Sequence, residues 1–424
     1  FEIEEMQDLS QSMRNVVVGR IEKLEKHPDA DRLKICQVNV GDRTVQIVTG
    51  ADNVFAGALV PAALDGSLLP TGQEIRSGKL RGVVPDGMLC SGEELMLTEE
   101  EYPGAGVYGI LILKPDCVIG ADMKEVLGRN DCIIDFKVTP NRPDCLCALG
   151  IAREISVMLK KPFNKPVVSG ANKGGEIESF AKVEVRDQEL CPRYMARGVR
   201  NVKIEPSPKW MQERLLAAGM RPISNIVDIT NYVMLETGQP MHAFDMRDVT
   251  SRQIVVRRAQ EKEKLVTLDK KEHELNSSML VIADEARAVG LAGIMGGLNS
   301  EIKPDTSEIL FESAKFKRDS VRRTARALGI RTEASSRYEK GIDIDNVEYA
   351  VNRAIDLVKE LNAGEVIEGA IDISVPFEKT RSLTVCPKSI NALLGVEVGT
   401  EEMISILEAL EIPAQQDGDT LKLT

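Results

Sequence analysis

Residues 238–245, GQPMHAFD, carry His242, one of only three histidines in 424 residues. An imidazole titrates near neutrality and can orient a water or an amine, so its place in an apolar run directly after a proline needs a reason. It is either a core histidine bonded to a backbone carbonyl or a histidine lining a site. Glu312 raises the same question from within ILFESA (309–314). An inward-facing ionised carboxylate there needs a partner, either a nearby arginine in a structural ion pair or a ligand. A third candidate is GLAGIMGGLNSEI (290–302), with glycines at 290, 293, 296 and 297. Glycine lets backbone approach closely, so the run serves either a tight crossing in the core or a backbone wall beside a ligand.

Several chemistries are absent from the pattern. No G-x-G-x-x-G opens a helix and no G-K-[ST] follows a glycine-rich loop, so the glycines are no nucleotide fingerprint. No G-x-S-x-G elbow and no Cys/His pair argues for a covalent intermediate. The eight cysteines form no C-x-x-C pair, and with three histidines no zinc spacing can be assembled. Scattered thiols fit a reducing cytoplasm better than a disulfide framework. No apolar run approaches the ~20 residues of a membrane helix, and no signal peptide is expected. Hydrophobic content of 43% and charged content of 28% describe an ordinary globular protein, and 4% aromatics exclude an aromatic base-stacking platform. A net charge of −12 argues against nonspecific nucleic-acid binding. Residues 315–340 are the exception, with nine Lys/Arg against three Asp/Glu. That run is either a solvated helix face or a phosphate-facing surface.

The elements that must position these residues are multidomain α+β. Residues 14–127 hold short β-rich runs, NVVVGRI, LKICQVNV, TVQIVTG and VYGILIL, separated by Gly- and Pro-rich turns as in a small barrel. In LKICQVNV the alternation reads Leu33, Ile35, then Val38 and Val40 after a slip. A helix is expected over 144–160, capped by Asp144, with Leu146, Leu149, Ala152, Ile155 and Leu159 as its apolar stripe. Residues 160–179 are a Pro/Gly/Ser/Lys-rich boundary. Helix starts follow at Ser207-Pro208, stopping at Gly219, and at Asp319 or Ser320, stopping at Gly329. The clearest helix spans 345–361, with Val347, Ala350, Val351, Ala354, Ile355, Val358 and Leu361 on one face. A new unit begins near 376, with a helix after Thr400 that Pro413 terminates. The chain opens on Phe1 and stops in DGDTLKLT, and it reads as a fragment cut at both ends.

HPDADRLKICQVNVG, IVTGADNV and SGKLRGVVPDGMLCSGEEL resemble, as an ordered set, the tRNA-binding OB-fold appended to several aminoacyl-tRNA synthetases. The last departs from the family pattern at Gly82-Val83-Val84-Pro85-Asp86-Gly87. Downstream, SNIVDITNYVMLETGQPMHAFD (224–245), GLAGIMGGLNSEI, ILFESAKF (309–316) and RTEASSRYEKGID (331–343) resemble the editing module of bacterial phenylalanyl-tRNA synthetase β subunits. VTPNRPDCLCALGIAREIS lies between, and the likeness covers essentially the whole chain in order. It implies a remnant of an N-terminal segment at 1–13, a five-stranded OB-fold barrel at 14–127, and a helical connector at 128–168 continuing the first segment. It further implies a mixed α/β editing module at 180–375 and a truncated small α+β domain at 376–424.

The same resemblance places His242, Thr230 and Asn231 at the catalytic end of an editing pocket, and Glu312, Gly296, Thr332 and Ala334 around the substrate. An apolar pocket for phenylalanine rejects a merely hydroxylated analogue by only about 10², so a second, hydrolytic site must recognise the hydroxyl. Glu312 would accept from the phenol, Ala334 would set the ring size, and His242 would orient water or the substrate amine. The expected partners are tRNA(Phe) and an α subunit in a heterotetramer, in the cytoplasm. No cofactor or metal is expected on these residues. ATP and magnesium are expected only for the holoenzyme. The competing readings are a free-standing tRNA-binding module without hydrolysis and a structural scaffold for the partner subunit.

Overall fold

The computed structural model describes residues 1–424 apart from 29, 77–84, 100 and 378–379. The expectation about Gly82, Val83 and Val84 therefore lies outside the described residues. Two compact units emerge, Phe1–Lys137 and Val138–Thr424, each mixing strands and helices.

In the first unit a thirteen-residue strand, Arg14–Lys26, is the spine of a six-stranded antiparallel sheet. It pairs with Lys34–Asn39 on one side and Leu59–Leu68 on the other. Thr44–Thr49 extends one edge, and Glu74–Ile75 and Gly87–Leu89 pair along Leu59–Leu68. Register shifts at 14/16 and 21/23 bend the spine, as bulges do. The sheet curls until the Asp86 amide donates to the Gln46 carbonyl at 2.8 Å. The inward face of Lys34–Asn39 is Cys36 and Val38, with Val40 just beyond, so the alternation needs no slip. VYGILIL is not a strand. Ile110, Leu111 and Leu113 are buried, but their amides donate singly to the Asn53 side chain, the Cys90 carbonyl and the Leu59 carbonyl. Three scattered acceptors satisfy the backbone there without a ladder. Glu2–Asp8 and Cys132–Lys137, distant in sequence, pair antiparallel as a two-stranded ribbon.

The second unit holds two five-stranded sheets. In one, Ile309–Lys315 lies between the edge strand Met241–Asp245 and Arg193–Arg200, which in turn pairs with Glu365–Val366 and Ile371–Ser374. The other runs Met295–Gly296, Ala288–Leu291, Leu280–Ala283, Gln253–Arg258 and Lys182–Val185. Strand alternation divides the first sheet into two faces. Met195, Ala243, Ile309 and Phe311 pack with helices Lys209–Ala217, Asn225–Thr237 and Asn346–Glu360. Tyr194, Ala196, Phe244, Leu310 and Ala314 pack with Val281, Ile282, Val289 and Leu291 of the second sheet and with Val321 of helix Arg318–Leu328. Covered on both faces, Ile309–Lys315 is an almost unbroken buried run.

Asn346–Glu360 buries the stripe its periodicity predicts. Val347, Ala350, Val351, Ala354, Ile355 and Val358 are fully inaccessible. Leu361 is packed only partly. Helix Arg318–Leu328 ends at Gly329 with φ +67°, as the sequence indicates. The helix expected from Asp144 instead begins at Ala148 and ends at Met158, capped by the Cys147 sulfur. Asp144 is diverted by Arg142, whose guanidinium grips its carboxylate at 2.7 and 3.0 Å. Its apolar stripe is not a core face, since Ile155 and Leu159 stay largely exposed. Ser207 does not cap Lys209–Ala217, because its hydroxyl donates to Asp228 at 2.5 Å. Past residue 380, helices Pro387–Leu394 and Thr400–Ala409 accompany a three-stranded sheet. Thr400–Ala409 ends before Pro413, where Glu411 adopts φ +64°. Among the described residues no helix is long and apolar enough to cross a membrane.

Candidate functional site

Strand pairing brings His242 and Glu312 together. They are directly opposed partners between the edge strand and its neighbour, with Ala196 on the next strand completing the rung. Directly opposed Cβ atoms lie about 4.5–5.5 Å apart. Alternation points this rung away from the helices and toward the second sheet, where Gly296 waits. A Cβ at Gly296 would stand 2.4 Å from His242 Cε1 and 2.8 Å from Nε2. Gly296 is therefore in contact with the imidazole, and any side chain there would displace the ring. Of the two uses the sequence left open for the glycine run, it serves both. Gly293, at φ +71°, makes the turn of a hairpin inside the core, packed on Phe316, Val321 and Tyr338. Gly296 then walls the candidate site.

The Nε2 of His242 is buried with no hydrogen-bond partner among the described residues, and its ring meets Phe244 edge-to-face at 4.6 Å. Burial lowers its pKa to about 4, so it is neutral at pH 7. Glu312 moves the other way. Burial raises its carboxyl to about 7, against a single opposing hydrogen bond from the Tyr194 hydroxyl at 2.7 Å. Its partner is thus a tyrosine on the adjacent strand and not an arginine. Near neutrality the rung holds a neutral imidazole and a carboxyl close to half-ionised, not an ion pair.

Gln239, in the quoted motif, clamps this geometry. Its Nε2 donates to the carbonyls of Pro240 and Ala314 and to the Tyr338 hydroxyl at 2.9–3.1 Å, while its Oε1 is buried without a partner among the described residues. Tyr338 donates to the Ala314 carbonyl at 2.9 Å. The strands of His242 and Glu312 are so tied to helix Glu333–Tyr338. Sequence reasoning passed over Gln239, Tyr194 and Tyr338. A polar amide within the apolar run ahead of His242 was an available signal for the first. Nothing local marks the tyrosines.

Thr332 caps helix Glu333–Tyr338. Its hydroxyl accepts from the Ser335 amide at 3.0 Å and donates to the Ile294 carbonyl at 2.9 Å, two residues before Gly296. Ala334 sits half-buried in the first turn. Thr230 and Asn231 lie on helix Asn225–Thr237, which covers the opposite face of the sheet. The Thr230 hydroxyl bonds back to the Val227 carbonyl at 2.7 Å. The structure joins His242, Glu312 and Gly296 directly and ties Thr332 to the glycine hairpin. It shows no bond from Thr230 or Asn231 to that group. Among the described residues, one cluster has metal-ligand character, Asp144, Cys145 and Glu154. There the Arg142 guanidinium already donates to all three side chains, at 2.7, 3.2 and 2.5 Å.

Residues 190–363 match the B3/4 domain family and residues 16–109 the putative tRNA binding domain family. Over 424 residues the chain is 49% identical to the phenylalanine-tRNA ligase beta subunit of Clostridium tetani, covering all of this chain and 53% of that one. The subunit of the same name from Clostridium acetobutylicum is 49% identical over 423 residues, with 99% and 53% covered. The chain thus spans about half the length of these relatives. An N-terminal fragment of the phenylalanyl-tRNA synthetase beta subunit of Pyrococcus horikoshii aligns at 16% identity over 68% of this chain and 79% of that one, with a TM-score of 0.33. That superposition is too loose to carry an argument.

Proposed function

We propose, from the chain's membership of the phenylalanine-tRNA ligase β-subunit family, that the His242–Glu312 rung and Gly296 form a hydrolytic editing site. The site would release tyrosine wrongly esterified to tRNA(Phe). The observation that carries the reading is the Glu312 carboxyl, raised to about 7 by burial against one hydrogen bond from a tyrosine hydroxyl and set opposite an imidazole whose Nε2 has no partner among the described residues. A protein gains nothing in stability from such a carboxylate, since burying a charge with one partner costs free energy. A ligand phenol that donates a second hydrogen bond gives it a use.

The discrimination follows from hydrogen bonding. A tyrosyl ring presents an O–H that ionised Glu312 accepts. A phenylalanyl ring leaves the desolvated carboxylate with Tyr194 alone, and sites of that kind discriminate by roughly 10⁴–10⁵. In the hydrolysis, water adds to the ester carbonyl, the bond to the ribose oxygen breaks, and that oxygen takes a proton. At a pKa of about 4 the imidazole is a weak base, suited to orienting the water or the substrate amine. Thr332 and Ala334 would shape the ring end from the start of their helix, and Thr230 and Asn231 would belong to the catalytic end. Residues 14–127 would be the OB-type tRNA-binding barrel, interrupting a segment whose two parts are 1–13 and 128–168. The pairing of Glu2–Asp8 with Cys132–Lys137 supports that interruption. Residues 180–375 would be the editing module, and 376–424 the beginning of a small further domain. The α subunit, in a cytoplasmic heterotetramer, would supply aminoacylation with ATP and magnesium.

The test is release of labelled tyrosine from Tyr-tRNA(Phe) by the 424-residue chain. Release well above the buffer rate is expected. Retention of tRNA on a filter without release would instead assign a binding module.

A further inference from the structure

The basic run of residues 315–340 carries +6 while the rest of the chain carries −18. Four of its nine basic residues lie on helix Arg318–Leu328. Ser320, Val321, Thr324 and Ala325 are buried, and Arg322, Arg323 and Arg326 are exposed on the outer face. Residues three and four apart share a face, so Asp319, Arg322, Arg323 and Arg326 line one shallow groove. Other arginines of this unit hold carboxylates: Arg200 binds Glu176, Arg247 binds Asp245, and Arg353 binds Glu236, all at 2.7 Å. Arg322, Arg326 and Arg331 have no such partner among the described residues. Concentrating unpaired guanidinium groups on one face of an acidic protein costs repulsion that a bound polyanion would relieve.

The groove also leads somewhere. Helix Arg318–Leu328 turns at Gly329, and exposed Arg331 immediately precedes Thr332, whose hydroxyl holds the Ile294 carbonyl beside Gly296 and the His242 ring. Arg322 and Arg326 lie about 6 Å apart along the helix axis, and Arg331 follows on the short segment that leads from Gly329 to Thr332. Guanidinium groups bind phosphate oxygens in bidentate fashion. We infer that Arg322, Arg326 and Arg331 are a track for the phosphodiester backbone of a single-stranded RNA 3′ end, whose terminal ribose would carry the ester. The direction of the strand rests on the editing reading, but the track itself can be tested without it.

The probe is an unacylated RNA hairpin with a four-nucleotide single-stranded 3′ tail, compared with the same hairpin ending blunt. Binding to the 424-residue chain is measured from 50 to 200 mM salt. The triple variant Arg322→Gln/Arg326→Gln/Arg331→Gln is expected to lose the preference for the tail. Its slope of log affinity against log salt should become shallower by about 2, since each single-strand phosphate contact contributes about 0.7. The triple Arg→Lys variant should keep most of the slope, and Lys359→Gln/Lys388→Gln/Lys422→Gln all of it. A Gln variant with unchanged slope and tail preference overturns the track. So does displacement by polyglutamate as effective as by RNA of equal charge, which would assign an acidic protein surface. If tail binding behaves as expected while no ester is hydrolysed, the editing reading fails and the track stands. If hydrolysis occurs but the slope does not move, the track fails alone.

Discussion

Replacing Glu312 by Gln should make the second unit more stable, and only above mildly acidic pH. The Glu312 carboxyl is raised to about 7 in the fold from an ordinary 4.5, chiefly by burial. Between those values the folded chain keeps a proton that the unfolded chain has released. Stability therefore falls as pH rises through this window, and the loss is complete above pH 7. With about 1.36 kcal/mol per pKa unit, the loss reaches at most about 3 kcal/mol. Glutamine keeps an acceptor for the Tyr194 hydroxyl and cannot ionise. Glu312→Gln should thus match the wild type near pH 4.5 and exceed it by up to about 3 kcal/mol at pH 8. Trp210, the chain's single tryptophan, reports on this unit, because it stands edge-on to Tyr232 at 5.3 Å between two packed helices. Urea unfolding followed by its fluorescence at pH 4.5, 6 and 8 makes the comparison. A difference that does not grow with pH, or a variant weaker at pH 8 than at 4.5, would refute the assignment of a strained carboxyl.

Three further outcomes follow from the same geometry. His242→Ala should cut hydrolysis sharply, and its stability relative to wild type should rise as pH falls from about 6.5 to 4. Across that range the unfolded histidine binds a proton that the folded one, lowered to about 4, does not. A variant that loses stability equally at all pH values would return His242 to the core. Gly296→Ala forces a carbon to within 2.4 Å of the imidazole, so it should lose hydrolysis and about 1–3 kcal/mol of stability in urea titration. Ala334→Trp should fill the ring end and abolish release of both tyrosine and phenylalanine while the protein stays folded by circular dichroism. Full activity in that folded variant would move the ring pocket elsewhere.

Sequence periodicity carried furthest where one face alone meets the core. Asn346–Glu360 buries the stripe its spacing marks, and Gly329 stops its helix. It failed where a side chain had a stronger local claim. Asp144 has the composition of a cap but is taken by Arg142 two residues earlier, and the Ser207 hydroxyl by Asp228. VYGILIL has strand composition, but its amides find acceptors one by one on three separate segments. The candidate site was visible only as single residues, because a histidine and a glutamate in apolar runs are conspicuous. Their pairing was not, since the register of two strands 70 residues apart depends on the whole sheet. Tyr194, 118 residues from its carboxylate, had no local signature at all.

The central claim is that Glu312 reads the tyrosine hydroxyl. It is tested most directly by the ratio of kcat/KM for Tyr-tRNA(Phe) over Phe-tRNA(Phe), measured for the wild-type chain and for Glu312→Ala. Loss of a charged hydrogen bond costs about 1.5–3 kcal/mol, or roughly one to two decades. The account predicts a wild-type ratio well above one that falls by about that factor in Glu312→Ala, whatever happens to the absolute rate. A Glu312→Ala protein that still prefers the tyrosyl ester as strongly as wild type would contradict it.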